Sequence, residues 1–301
     1  MIELRTALPA PLVEPLEEWL NGLVRCSWAI EVDATGATFQ LAGFFDDAES
    51  AQAAWVELRA AFPDLAAAPR QTTLDDRDWK EAYKAHLRPW AEGDLHWVPV
   101  WLKDTYPLPA GHTRLLFDAG LAFGTGDHPT TRLMARRLLD FRAARGPEKF
   151  SAARVIDAGC GSGILALSAA LLGGKNVWAF DRDPEAITVS RENLAANGLP
   201  ADAVEFVLAG LEAALQNQKA DLLLANIQAD VLALHAEDLA AVMAPGGTLA
   251  MSGILAAEVD HVRTAFAPVL AKLWGITPPA ALANFGDSRV MGEWCDLVFV
   301  R

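Results

Sequence analysis

A glycine-rich turn preceded by an acidic residue is the first feature of this sequence that could do chemistry. Asp157 stands just before a Gly-x-Gly-x-Gly run made by Gly159, Gly161 and Gly163. Glycine has no Cβ and adopts positive φ, so such a turn lets the backbone approach a ligand closely. The spacing differs from the Gly-x-Gly-x-x-Gly that seats a pyrophosphate on a helix N-terminus. The turn therefore predicts a nucleotide-like ligand other than a dinucleotide.

The carboxylates near this turn indicate the charge of that ligand. Asp157 would repel a pyrophosphate, whereas an ammonium group or a hydroxyl beside it is favourable. Asp181 ends the next predicted strand, where an acid can accept hydrogen bonds from ribose hydroxyls. Asp181 and Asp183 could instead only cap the helix that begins at Pro184. We assign the cap to Asp183 and the ribose to Asp181, which predicts S-adenosylmethionine as cofactor and disfavours a nicotinamide dehydrogenase.

Asn226 ends the fourth strand of the predicted sheet, a strand end that faces the reactive methyl group in methyltransferases. An asparagine at this point can also be a plain turn former. Its side chain and the Ile227 carbonyl could accept hydrogen bonds from an amine and orient its lone pair. The sequence shows no strong general base, and a desolvated, neutral amine needs none.

Regular alternation of strands and helices from about Leu115 predicts a mostly parallel sheet covered on both faces. The fold class is thus α/β, a Rossmann-like seven-stranded sheet with a small ferredoxin-like α+β domain before it. Predicted strands are Arg154 to Asp157, Asn176 to Asp181, Ala203 to Leu208, Asp221 to Asn226, Thr248 to Ser252, Leu270 to Ile276 and Glu293 to Val300. Predicted helices are Arg132 to Phe141, Ile164 to Leu172, Pro184 to Asn197, Asp230 to Met243 and Ala256 to Phe266. Thr130 or Thr131 is expected to cap the first of these helices.

Composition divides the chain into three segments. Residues 1–70 read as helix, hairpin and helix between two further strands, which is a ferredoxin-like order. Residues 71–112 read as a linker with a helix followed by strands, whose tryptophans are expected to pack rather than bind substrate. Residues 113–301 form the predicted S-adenosylmethionine-binding catalytic domain.

Charge and composition exclude several classes of protein. The 301 residues carry a formal charge of −14, which argues against a broad nucleic-acid surface and suits a basic protein partner. No apolar run is long enough to span a membrane, and MIELRT does not resemble a signal peptide. A cytoplasmic protein, with no direct need for nucleic acid or membrane, is the expectation. The 3 cysteines fit neither a disulfide framework nor a metal site.

Several motifs together resemble the ribosomal-protein methyltransferases of the PrmA type. They are FGTGDHPTTRL at 123–133, VIDAGCGSGILAL at 155–167, ANIQAD at 225–230, SGIL at 252–255 and EWCDLVFVR at 293–301. The resemblance covers about residues 72–301, including DWKEAYK, and less specifically the first segment. FGTG-x-H-x-TT is the most discriminating motif, because generic methyltransferases lack it.

The resemblance implies a substrate and further site residues. The substrate would be the eleventh protein of the large ribosomal subunit, a basic protein at the stalk base, methylated on lysine or N-terminal amines and recognised by the N-terminal module. Thr131 would contact the cofactor, as would Gly159, Asp181 and Asn226, and Gly161 is predicted to do so as part of the glycine turn. The loop from Phe123 to Gly126 would close over the methionine part. His128 belongs to the same motif and is expected to act as a hydrogen-bonding scaffold. The chain is expected to be a monomer.

One position departs from the family pattern and leaves alternatives open. The family has Asn-Ile-Leu-Ala or Asn-Leu-Tyr-Ala where this chain has Gln228 after Ile227, which bears on the amine pocket. A methyltransferase of another protein lysine is therefore an alternative, as is a module that binds S-adenosylmethionine without turnover. Glutamine-specific families carry Asn-Pro-Pro-Tyr at this strand end, and they are disfavoured because both prolines are lacking.

Overall fold

The computed structural model describes residues 2–21, 27–32, 38–66, 68–73, 87–118 and 128–301. The chain forms two compact units, Met1–His86 and Leu87–Arg301. No helix among the described residues is long and apolar enough to cross a membrane.

The first unit has the predicted ferredoxin-like order. Its elements are β1 Ile2–Leu8, α1 Val13–Asn21, β2 Trp28–Val32, β3 Phe39–Phe45, α2 Ala48–Ala61 and β4 Arg70–Thr73, with a 3-10 turn at Ala10–Leu12. The strands pair antiparallel in the order β2-β3-β1-β4. Asp47 caps α2, since its side chain accepts from the Ser50 N–H at 2.8 Å. Leu4, Leu16, Leu41 and Trp55 lie in the core of this unit.

The second unit contains a seven-stranded sheet and a separate three-stranded sheet, ten strands in all. In chain order its strands are β5 Trp90–Glu92, β6 Leu95–Pro99, β7 Thr113–Phe117, β8 Arg154–Ala158, β9 Asn176–Asp181, β10 Glu205–Leu208, β11 Ala220–Asn226, β12 Met243–Leu255, β13 Val290–Met291 and β14 Trp294–Val300. Its helices are α3 Pro129–Ala152, α4 Ile164–Leu171, α5 Pro184–Ala196, α6 Leu211–Leu215, α7 Ala229–Leu234, α8 Ala236–Ala241 and α9 Val259–Trp274, with 3-10 turns at Val100–Leu102 and Leu282–Asn284. Helix α3 kinks at Gly146, where φ is 75°.

The order of strands determines where a ligand can bind. The seven-stranded sheet runs β10-β9-β8-β11-β12-β14-β13, so the chain reverses its direction of travel across the sheet between β8 and β11. The strands from β10 to β12 are parallel neighbours, and β14 pairs antiparallel with β12. Ligands of open α/β sheets bind beyond the carboxyl ends of the strands at such a reversal. The predicted fold class is confirmed.

A separate three-stranded sheet, in the order β5-β6-β7, lies in the second unit. It includes part of the predicted linker, where strands were expected. Trp90 and Trp97 are buried and stacked with ring centroids 3.8 Å apart, and the Trp97 indole N–H donates to the Ser168 hydroxyl at 2.9 Å. These two tryptophans therefore pack, as predicted. The linker helix lies outside the described residues, and the boundaries at 70 and 112 stay a prediction.

Two element predictions near the C-terminus are wrong. The segment Leu270 to Ile276, predicted as a strand, belongs mostly to α9, which continues through Pro268 to Trp274. Its buried Phe266 and Leu270 keep helical spacing, and Gly275 ends the helix with φ 69°. The strand that completes the seven-stranded sheet, at its edge beside β14, is instead the two-residue β13. The helix predicted from Asp230 to Met243 is two short helices, α7 and α8, that meet at His235.

The prediction that a threonine caps α3 is also wrong. The helix begins at Pro129, and Thr130 and Thr131 lie inside its first turn. His128 is the N-cap, because its Nδ1 accepts from the Thr130 N–H at 3.4 Å and lies 2.8 Å from the Thr130 hydroxyl. Both threonine side chains are consequently buried and do not serve as the cap.

Candidate functional site

The glycine-rich turn after β8 needs glycine at each predicted position. Gly159, Gly161 and Gly163 have φ of 68°, 52° and 77°, values that side chains with a Cβ rarely adopt. The N–H groups of Gly159 and Cys160 both donate to the Phe180 carbonyl at the end of β9, at 2.9 and 3.0 Å. A Cβ on Gly163 would come within 2.8 Å of the Ser190 hydroxyl. The turn is thus closely packed between β8 and β9.

Asp181 connects this turn to the next helix. Its Oδ2 accepts from the Gly161 N–H at 2.9 Å, and its Oδ1 accepts from the Asp183 N–H at 3.0 Å. Asp183 in turn accepts from the Glu185 N–H at 2.9 Å and caps α5, which confirms the cap assigned to it. The Asp181 carboxylate is therefore oriented by backbone donors on both sides while it lines an open cavity.

That cavity is about 480 Å³ in volume, within the usual size range for small-molecule sites. It opens between the carboxyl ends of β8, β9, β10 and β11. Its walls are Gly159, Phe180, Asp181, Arg182, Ala209, Gly210, Leu211, Glu212, Ala213, Ile227, Gln228, Val231 and His235. The wall is mixed, with apolar side chains, the two carboxylates of Asp181 and Glu212, and the basic side chains of Arg182 and His235. Gln228 is exposed at this wall.

Asp157 is buried beneath the turn, with only 1 % of its surface exposed. Its Oδ2 accepts from the Ala166 N–H in α4 at 3.0 Å. Burial raises the pKa of Asp157 to about 7, the Ala166 hydrogen bond opposes this rise, and the charge of Asp181 adds to it. A cation near this carboxyl would restore its ionised form.

Asn226 and Thr131 meet at the end of β11. The Asn226 amide Nδ2 donates to the Thr131 hydroxyl at 3.4 Å, although the two residues are 95 positions apart in the chain. The Asn226 Oδ1 is buried and has no hydrogen-bond partner among the described residues. Since a buried, unpaired carbonyl oxygen is costly, this atom is ready to accept a hydrogen bond from a ligand.

The peptide after Asn226 is held by a bulge in β12. The Ile227 N–H donates to the Ser252 carbonyl at 2.9 Å. The register of β12 against β14 shifts between Met251 and Ile254, and Gly253 has φ of 83° there. A Cβ on Gly253 would lie 2.5 Å from the Ile227 carbonyl oxygen. The bulge therefore sets the position of that carbonyl.

The structure brings most predicted site residues together at one edge of the sheet. Gly159 and Gly161 form the turn after β8, Asp157 and Asp181 lie against it, and Asn226 with Thr131 lies at the neighbouring strand end. Phe123 and Gly126 lie outside the described residues. Sequence reasoning missed Gly253 as a positioning residue. The SGIL motif contains it, but nothing local to the sequence indicates its contact with Ile227.

His128 and the two buried cysteines have altered proton affinities. Burial lowers the pKa of His128, and the nearby Glu293 charge opposes that change. The ring is therefore neutral near pH 7 and can accept from the Thr130 N–H. Cys160 and Cys295 are free and buried, and burial raises the pKa of Cys295 to about 11. These thiols behave as small apolar side chains; Cys26 lies outside the described residues.

The strand order, the glycine turn and the acid at the end of β9 define a Rossmann-like methyltransferase of the S-adenosylmethionine-dependent class. A family model described as ribosomal protein L11 methyltransferase (PrmA) matches residues 25–274. The chain belongs to this family, and the resemblance noted from its motifs is confirmed.

Individual proteins similar to this chain carry the name of the same family. The ribosomal protein L11 methyltransferase of Trichlorobacter lovleyi is 36% identical over 310 residues, covering 98% of this chain and 96% of that protein. That of Azotobacter vinelandii is 41% identical over 194 residues, 64% of this chain and 62% of the relative's own length. The crystal structure of a ribosomal protein L11 methylase from Lactobacillus delbrueckii subsp. bulgaricus is 30% identical, with a TM-score of 0.55, and covers 69% of this chain and 94% of that one.

Proposed function

We propose that this chain transfers methyl groups from S-adenosylmethionine to amines of ribosomal protein L11, on lysine side chains, the N-terminus or both. The observation that carries the proposal is the buried Asn226 Oδ1, which has no partner among the described residues and lies at the strand end next to the glycine turn. The relatives are named as methyltransferases of ribosomal protein L11, which supports this substrate. The side chains of the site support methyl transfer to an amine.

The residues present fit the cofactor. Asp181 is an acceptor for ribose hydroxyls at the edge of the cavity, and the turn at Gly159 and Gly161 leaves room for a ligand against the backbone. Asp157, whose pKa is raised to about 7 by burial, suits an ammonium group nearby. Thr131 and Asn226 would lie on the methyl side. S-adenosylmethionine supplies a methyl group already activated by the sulfonium charge.

The protein then has to supply a neutral amine in the right orientation. A lysine amine has an ordinary pKa of about 10.4 and an α-amine of about 7.7–8.0, and burial lowers both because it disfavours the ammonium form. The Asn226 Oδ1 and the Ile227 carbonyl can accept the two N–H bonds of the amine, which aims its lone pair along one line. Both acceptors are held by neighbours, Thr131 for the amide and the β12 bulge for the carbonyl.

Recognition of the protein substrate belongs, in this proposal, to the N-terminal ferredoxin-like unit, with residues 71–112 as the link to the catalytic domain at 113–301. The formal charge of −14 favours encounter with a basic ribosomal protein at the stalk base. The loop from Phe123 to Gly126 would cover the methionine part. We place the reaction in the cytoplasm, carried out by a monomer.

Replacing Asn226 with alanine tests the proposal. Methyl transfer to purified L11 should fall on the order of 100-fold or more, since an oriented acceptor at the reacting atom is lost. Binding of S-adenosylhomocysteine, measured by calorimetry, should weaken far less. An Asn284→Ala variant, the same substitution at an exposed asparagine outside the cavity wall, is the control and should retain transfer.

An experiment with radiolabelled cofactor separates this function from the two alternatives, a different methyltransferase and a module without turnover. With radiolabelled cofactor and a mixture of large-subunit proteins, wild-type protein should label L11 alone. Label on another protein would indicate a different methyltransferase, and binding without label would indicate a module without turnover. Undiminished transfer by Asn226→Ala would remove the role assigned to that residue.

A further inference from the structure

A buried ion pair links two distant parts of the second unit. Arg137 in α3 is 6 % exposed and Asp296 in β14 is fully buried. The guanidinium makes two parallel bonds to the carboxylate, Nε to Oδ2 at 2.7 Å and Nη2 to Oδ1 at 2.8 Å. Asp296 also accepts from the Arg289 N–H at 2.6 Å, and Arg137 has a second, exposed partner in Asp287. The Arg137–Asp296 pair is therefore both buried and bidentate.

A second contact joins the same helix and strand. Trp294 lies two positions before Asp296 on β14, so both side chains point to the same face of the sheet. The Trp294 ring meets the ring of His128 edge-on, with centroids 5.0 Å apart. Thr131 lies between these two contacts along α3. It comes just after the N-cap His128, and Arg137 follows it by less than two turns at about 3.6 residues per turn.

The bidentate geometry of this buried ion pair indicates that it restricts the position of α3. Replacing a buried ion pair with apolar residues of similar size is often neutral for stability, so stability alone is a weak reason for it. A bidentate arginine–carboxylate pair, by contrast, has one preferred geometry, whereas apolar contacts permit a helix to slide or rotate. Such a pair at this point restricts the position of the first two turns of α3.

We propose that Arg137 and Asp296 are positioning residues for methyl transfer, which rests on the function proposed above. Together with Trp294 they hold the first turns of α3 against β14. Thr131 is thereby kept against the Asn226 amide, and the Asn226 Oδ1 stays turned toward the substrate amine. A displacement of about 1 Å at a reacting group can cost about 100-fold in rate, so loss of this restraint should appear in catalysis.

The test uses a paired substitution that leaves no buried charge alone, Arg137→Met with Asp296→Asn. Asn at 296 can still accept from the Arg289 N–H, so the local backbone keeps its partner. The matched control is Arg136→Met with Glu92→Gln, which removes the ion pair of the neighbouring α3 residue at 2.8 Å on another side of the helix. Thermal unfolding of all variants ensures that kinetics are compared where each is fully folded.

The readout is the separate effect on kcat and on binding, in wild type and in a Thr131→Val background. We expect kcat for L11 methylation to fall about 10- to 100-fold in the 137/296 pair, with the 136/92 control within about twofold of wild type. In the Thr131→Val background the same pair should add less than about twofold, because residues acting through one contact are not additive.

Two results would overturn the positioning role. One is a wild-type kcat for the folded 137/296 pair. The other is a loss that multiplies with that of Thr131→Val, which would show that the pair acts elsewhere. In either case wild-type labelling of L11 and loss of transfer in Asn226→Ala would leave the proposed function standing.

Discussion

At the scale of single residues, the candidate site depends on polar side chains that are oriented by hydrogen bonds with neighbouring residues. Asp181 is oriented by two backbone N–H groups, and Asn226 by the Thr131 hydroxyl. Both Asp181 oxygens accept a backbone N–H while the carboxylate lines the cavity, whereas the Asn226 Oδ1 has no partner among the described residues. Asp157 differs, because its burial leaves it partly protonated at neutral pH.

The raised pKa of Asp157 predicts that cofactor binding is coupled to release of a proton. A raised carboxyl pKa stabilises the folded protein most below the unfolded value near 3.8, and this contribution is lost as pH rises through about 7. A bound cation favours the ionised carboxylate, so S-adenosylmethionine binding near pH 6 should release a proton. Calorimetry in two buffers of different ionisation enthalpy measures that release. It should vanish in Asp157→Asn; equal release in both proteins would mean that the cofactor cation does not act on Asp157.

At the scale of elements, the strand ends are positioned by neighbouring strands rather than by their own sequence. The Ile227 carbonyl packs against Gly253 at the bulge in β12. The first turn of α3 places Thr131 beside Asn226 at the end of β11. Neither contact involves residues close in the chain. The chemistry of the Asn226 strand end thus depends on how β12 and α3 are shaped.

Gly253→Ala should disrupt this arrangement. The added Cβ would meet the Ile227 oxygen at 2.5 Å in a backbone with φ of 83°. We expect a loss of about 1–3 kcal/mol in unfolding free energy and a clear fall in kcat. Gly246→Ala in the same strand is the matched control, since its φ is 75° but its Cβ would have nothing within 4 Å. Urea unfolding and methylation rates compare the two; equal kcat values would refute the role of the bulge.

At the scale of the whole molecule, two units divide the work in our proposal. The cavity, Asn226 and the 137/296 pair all belong to Leu87–Arg301. The ferredoxin-like unit has its own core, around Leu41 and Leu58, and its own sheet. The residues proposed to form the cofactor site all come from the second unit.

A chain that begins at Leu87 should therefore separate binding from transfer. Its affinity for S-adenosylhomocysteine should stay close to that of the full chain, while kcat/KM for intact L11 should fall on the order of 100-fold because remote binding energy is lost. Circular dichroism provides the check on folding. If the shortened chain methylates L11 as well as the full chain does, substrate recognition lies in the catalytic unit.

The sequence by itself determined the class of fold and predicted the composition of the cofactor site. Strand and helix alternation, the glycine turn and the acids at strand ends follow local rules of periodicity and backbone conformation, so Asp157, Gly159 and Asp181 could be named in advance. Local rules misjudged α9, because Pro268 suggests an end that tertiary packing of Phe266 and Leu270 overrides.

Only the tertiary structure decided which side chains meet at the proposed reaction site. The Thr131–Asn226 bond, the Gly253–Ile227 contact and the Arg137–Asp296 pair each join segments far apart in the chain. Their formation depends on strand order and on the burial that makes an unpaired polar group costly. One-dimensional patterns do not carry that information, because the free energy of such contacts arises only once the sheet has assembled.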